Sequence, residues 1–202
     1  MQDTPHYLQP YLDAASRYGG GFGSLLWASR TTQETRFDAM TRLCNLRGKS
    51  MLDVGCGRGD LLDYLLRRGI QLDHYTGIEA VPELAGAAAC KNHPRCLIIP
   101  CDFITEPARL FTGADVIYFS GSLNTLEPRA FYETLRLAHQ AAVESVVFNF
   151  LSSPHLAAAD YLNWYPTENV LQFADELGGQ VTTLEDYLVG DCTIHLRKAV
   201  DH

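Results

Sequence analysis

From residue 50 to about residue 180 the chain alternates between two patterns of apolar residues. Short runs at 50–54, 74–78, 96–100, 115–119 and 145–151 are apolar nearly throughout and read as strands. Between them, apolar residues recur every three or four positions, as in helices. One such stretch covers 60–68 and is closed by Gly69, another follows Pro82, and a third covers 129–142 with Phe131, Leu135 and Ala138 on one side. Strands without a polar face, separated by helices, predict a parallel sheet covered on both sides. The tail breaks the pattern. A helix over 168–177 stops at Gly178 and Gly179, and two strands, VTTLEDYL and CTIHLRK, meet at Val189-Gly190-Asp191. So short a link demands an antiparallel pair. Upstream, residues 7–17 predict a first helix, and Gly19, Gly20, Gly21 and Gly23 a loop or hinge. Thr31-x-x-Glu34 resembles a capping box that opens a helix carrying Phe37, Met40 and Leu43 on one face.

Composition narrows the class. A chain of 202 residues, 47% hydrophobic, suits one domain with a real core, or one with a small extension. The net charge of −8, three lysines in all (Lys49, Lys91, Lys198) and the lack of any run of five basic residues argue against a nucleic-acid partner. No apolar stretch approaches eighteen residues, so no membrane span is expected, and MQDTPHYLQP lacks the pattern of a secretion signal. Six scattered cysteines without a Cys-x-x-Cys pair fit reduced thiols in a cytoplasmic protein. Cys90, Cys96, Cys101 and His93 do not match common zinc spacings, so no metal is expected.

The chemistry concentrates at MLDVGCGRGD, residues 51–60, where an apolar run breaks into Gly55, Gly57 and Gly59. A strand that ends in glycines before a helix lets backbone approach a ligand closely. Twenty residues beyond Gly59 stands Glu79, near the end of the next apolar run and placed to accept hydrogen bonds from ribose hydroxyls. These features predict a nucleoside pocket. A dinucleotide fingerprint needs G-x-G-x-x-G, but Asp60 holds the third glycine position.

These residues, with Asp102-Phe103 after the third strand, Phe119-Ser120-Gly121-Ser122 at the end of the fourth and the terminal hairpin, resemble the class I S-adenosylmethionine (SAM) dependent methyltransferases over residues 48–198. The segment with Trp27, Arg30 and Arg36-Phe37 is similar, more loosely, to the entry of some small bacterial members. The resemblance implies an α/β fold: a Rossmann-like doubly wound sheet of about seven strands with an antiparallel last strand and helices on both faces. It also implies an N-terminal helical lid over residues 1–47 and a SAM-binding domain over 48–202.

It further implies roles for individual residues. Gly55 and Gly57 lie against the methionine part of SAM, where any Cβ at Gly57 should collide with the ligand or the turn. Asp53 holds loop amides or the ligand's ammonium, and Glu79 grips the ribose. Ala80 packs beside the adenine, Asp102 accepts from its amino group, and the Phe103 amide donates to a ring nitrogen. Ser120 begins the floor beside the sulfonium, Arg36 or Arg30 pairs with the carboxylate, and Trp27 covers the cofactor. Methyl transfer to a small-molecule acceptor follows as the expected activity. A catalytically idle SAM-binding module and an NAD(P)-dependent oxidoreductase are the alternatives. The sequence SGSLN after the fourth strand lacks the Asn/Asp-Pro-Pro-aromatic pattern of enzymes that methylate amide or exocyclic nitrogens. Tyr18, Asn124, Asn149, Ser152, His155, Trp164 and Tyr165 are candidates for the acceptor pocket. No catalytic residue is named, and the acceptor and oligomeric state stay open.

Overall fold

A computed structural model describes residues 5–199; residues 1–4 of the expected lid and 200–202 of the expected core domain lie outside the described residues. The elements run α1 (Gln9–Tyr18), α2 (Arg30–Leu43), β1 (Ser50–Val54), α3 (Asp60–Arg67), β2 (His74–Glu79), α4 (Pro82–Ala89), β3 (Cys96–Pro100), β4 (Val116–Phe119), α5 (Pro128–Ala141), β5 (Ser145–Leu151), α6 (Thr167–Leu177), β6 (Gln180–Leu184) and β7 (Asp191–Arg197). The strands form one seven-stranded sheet in the order β3-β2-β1-β4-β5-β7-β6. The pairs among β1 to β5 are parallel, while β7 runs antiparallel to both β5 and β6. The expected Rossmann-like sheet with a reversed last strand is what forms.

Successive residues of one strand feed opposite layers, as the pleat requires. Tyr118 and Val147 point to the layer of α2 and α3, with Phe37, Met40, Leu61 and Leu65. Their neighbours Phe119 and Phe148 point to the layer of α5 and α6, with Phe131, Leu135 and Val170. Strands buried on both faces explain why the runs read from the sequence carry no polar alternation.

Two local expectations are corrected. Ser29, not Thr31, caps α2: its hydroxyl accepts from the Thr32 amide at 3.0 Å, which satisfies one free N–H of the first turn. Thr31 lies inside that turn, and Glu34 pairs with Arg67 at the surface. The link between the last two strands is also longer than Val189-Gly190-Asp191. β6 ends at Leu184, and residues 185–190 form the connection. Tyr187 within it turns inward to bond Thr193 at 2.7 Å, so a residue read as strand serves instead as an anchor.

Candidate functional site

The parallel register brings the ends of β1, β2 and β4 to one edge of the sheet, with Val54 opposite Ile78 and Asp53 opposite Tyr118. Chain leaving adjacent parallel strands in this way opens a crevice at their carboxyl ends. A cavity lies there, lined by Gly55, Gly57, Glu79, Ala80, Phe103 and Ser120, and roofed from the N-terminal side by Leu25 and Trp27.

The glycine loop is held in a left-handed path, with φ of +72° at Gly55 and +56° at Gly57. Other residues adopt that conformation only with strain. Gly55 is needed for contact as well: a Cβ there would lie 2.4 Å from the Ser122 Cβ, and Ser122 is itself pinned to the Val54 carbonyl at 2.6 Å. At Gly57 the added atom would meet the end of the Leu25 side chain at 2.6 Å. A neighbour from the roof therefore stands where a ligand or the turn itself was expected. Leucine tips move easily, so at Gly57 the backbone angle imposes the stronger demand.

Glu79 is buried and faces this loop. One carboxylate oxygen accepts from the Gly57 amide at 2.8 Å and the other from the Val81 amide at 2.9 Å. Burial raises its pKa, and the amide hydrogen bonds oppose that rise. Each oxygen keeps a second lone pair, so the carboxylate can accept from a vicinal diol while it braces the loop.

The remaining predicted residues divide. Trp27, Arg36, Ala80, Phe103 and Ser120 line the cavity with Gly55, Gly57 and Glu79. Asp53 stands behind the glycine loop, at a small separate recess, and accepts from the Tyr75 hydroxyl at 2.6 Å. Burial pushes its carboxyl up to about 7, against the lowering effect of that hydrogen bond. Asp102 lies just outside the lining, with one oxygen accepting from the Ile104 amide at 2.9 Å and the other from the Tyr7 hydroxyl at 2.7 Å. Arg36 is buried, stacks over Trp27 at 4.7 Å and donates through Nε to Asp191 at 2.5 Å. The guanidinium thus already has an anionic partner, at the start of β7. Arg30 instead lies over Phe22 at 4.5 Å and is absent from the cavity lining.

Of the acceptor-pocket candidates, Asn124 lines the cavity. Asn149 works from behind, accepting from the Gly121 amide at 2.8 Å and so fixing the loop after β4. Tyr165 is a packing residue: it stacks on Phe131 at 4.0 Å and donates to the Leu126 carbonyl at 2.5 Å. Tyr18, Trp164, His155 and Ser152 do not line the cavity; Tyr18 and Trp164 are exposed. Sequence reasoning missed Asp191, Tyr7, Tyr11 and Tyr161. Asp191 sits 155 positions from its partner Arg36, and no local spacing announces such a pair. Tyr7 lies in the turn before α1, Tyr11 in α1 and Tyr161 in the loop after β5, where no motif marks them.

Known proteins are similar to this chain in sequence and in fold. A family described as a methyltransferase domain matches residues 28–172. A Mycobacterium tuberculosis protein named as a methyltransferase is 34% identical over 160 residues, covering 74% of this chain and 93% of that protein. Trans-aconitate 2-methyltransferase of Klebsiella pneumoniae is 34% identical over 146 residues, which is 70% of this chain but 51% of the relative, about half its length. Among solved structures, magnesium protoporphyrin IX methyltransferase from Synechocystis, crystallised with bound SAH, superposes with a TM-score of 0.67 at 14% identity, covering 83% of each chain. The family match spans the glycine loop, Glu79 and the loop after β4, and leaves out the roof residues Leu25 and Trp27. The chain belongs to the class I SAM-dependent methyltransferases.

Proposed function

We propose that this chain transfers the methyl group of SAM to a small-molecule acceptor by in-line displacement. The observation that carries the reading is the continuity of the cavity. Its lining includes the glycine loop, Glu79 and Ser120 together with Leu126, Leu151 and Tyr161, so one cleft serves a cofactor and an acceptor together.

The residues present suit SAM. Gly55 and Gly57 line the cavity with bare backbone on the side taken by its amino-acid end, and the spare lone pairs of Glu79 take the ribose hydroxyls. Ala80 and Phe103 flank the adenine. Asp102 takes the adenine amino group when Tyr7 gives up its hydrogen bond. The Ser120 hydroxyl is buried without a partner among the described residues and belongs to the floor. Arg36 keeps N–H groups beyond those given to Asp191 and offers them to the carboxylate. Asp53 supports the loop from behind. SAM supplies a methyl group on a cationic sulfur whose thioether leaves readily. The protein's part is to hold the acceptor in line and keep water out. Tyr7, Leu25 and Trp27, all N-terminal to α2, act as the lid.

Incubation with methyl-labelled SAM and pooled small metabolites tests the reading. Label in an extractable small molecule is the expected result. Tight SAM binding with no label transferred favours the idle module. Thermal stabilisation by NAD and not by SAM overturns the assignment.

A further inference from the structure

Beyond the glycine loop the cavity becomes apolar. Leu8, Leu26, Leu126, Leu151, Leu156 and Leu162 form its far walls. They come from the N-terminal segment, the loop after β4, and β5 with the loop that follows. None of them belongs to the motifs that face the cofactor.

Polar side chains stand among the leucines, Asn124 and Tyr161 with Thr125. Asn124 is only 6% exposed, yet its Oδ1 has no hydrogen-bond partner among the described residues. A buried carbonyl oxygen left unpaired is costly, and native proteins seldom keep one without a use. A half-turn of the carboxamide presents its NH2 group in place of its oxygen, so the side chain can meet either a donor or an acceptor. Tyr161 adds a phenol to the same lining. It lies near Tyr11, whose own phenol is pushed up by burial first and then by Glu79 and Tyr161.

Charge completes the picture. Arg36 and Glu79 are the fully charged side chains in the lining among the described residues. Asp191 pairs with Arg36 from behind, and Glu79 is engaged by the Gly57 and Val81 amides. An anionic acceptor at this end would meet apolar walls and would lose its hydration with no side-chain cation in the wall to pair with.

Resting on the methyl-transfer reading above, we propose that this end of the cavity binds an uncharged, apolar-bodied acceptor carrying a hydroxyl or amine group, which Asn124 and Tyr161 orient. The leucines remove the body of the acceptor from water. The two polar side chains fix which of its atoms faces the cofactor. Both are specificity residues that touch the acceptor and leave the cofactor's own contacts alone.

Calorimetry on the full chain saturated with SAH tests this, with 2-naphthol and 2-naphthoate as matched probes that differ mainly in charge. The naphthol is expected to bind about tenfold or more tighter than the naphthoate. Asn124→Leu and Tyr161→Phe are each expected to weaken naphthol binding roughly threefold to tenfold, with SAH affinity unchanged. Asn124→Leu should also raise Tm, because it removes an unpaired buried oxygen; a merely structural asparagine would lower it. Should Asn124→Leu fail to fold, Tyr161→Phe carries the test alone. Equal or tighter naphthoate binding, no binding of either probe, or wild-type naphthol affinity in both variants overturns the proposal. A chain that does not bind SAH at all refutes the methyl-transfer reading, and this proposal falls with it.

Discussion

The two ends of the cavity are built by different means. At the cofactor end, the shape comes from backbone: strand ends in parallel register, left-handed glycines, and amides of Gly57 and Val81 aimed at one carboxylate. At the far end it comes from side chains on loops and on the N-terminal segment, positioned by packing. Backbone geometry tolerates few residue types and leaves a dense local signature. A leucine wall tolerates many sequences and leaves almost none. The difference explains why a family can keep its cofactor while members change acceptors.

The comparison breaks first at the ion pair behind the cavity wall. Arg36 and Asp191 are both nearly inaccessible to solvent. Asp191→Ala strands a buried guanidinium and is expected to cost about 3–5 kcal/mol of stability, measured by urea unfolding. A loss below the ~1 kcal/mol typical of an exposed pair would show that water reaches the site.

Gly55→Ala sharpens the contrast. The added Cβ faces the Ser122 Cβ at 2.4 Å from a φ of +72°, so a loss of about 3 kcal/mol is expected from overpacking and backbone strain together. SAM affinity should fall with it. Leu156→Ala at the other end should leave SAM affinity unchanged in the same titration. Equal sensitivity of SAM binding to both changes would erase the distinction drawn here.

A further effect depends on pH. Asp53 has its folded pKa raised from 3.8 to about 7, so between those values the folded state holds a proton that the unfolded state has released. Stability from this group is therefore greatest at low pH and falls as pH rises from about 4 to 7. Asp53→Asn removes that dependence. Its stability relative to wild type should climb across the window and level off above it, by no more than about 4 kcal/mol. A difference that is flat with pH would mean that Asp53 is ionised throughout.

How legible all this is in the sequence follows from the same division. The central parallel strands β1, β4 and β5 are buried on both faces, so their runs are apolar nearly throughout and easy to read. Gly55, Gly57 and Glu79 are legible because their demands are local: an angle no other residue accepts cheaply, and a carboxylate one strand away. The α2 cap was misplaced because Thr31-x-x-Glu34 and Ser29-x-x-Thr32 overlap, and only packing decides which serves. Tyr7 on Asp102 and Asp191 on Arg36 were invisible for another reason: their partners are 95 and 155 positions away. Asn149 and Tyr165 looked like acceptor contacts because they follow or end a strand, yet the fold uses them to pin the Gly121 amide and the Leu126 carbonyl.

The central claim is that the Glu79 carboxylate, braced by the Gly57 and Val81 amides, holds the ribose of SAM. Calorimetric titration of SAM into the wild-type chain and into Glu79→Ala tests it most directly. The account predicts binding by the wild type and a loss of about 1–3 kcal/mol in the variant, on the cost of unmaking hydrogen bonds to a charged group. Identical affinities, or a wild-type chain that does not bind SAM, would contradict it.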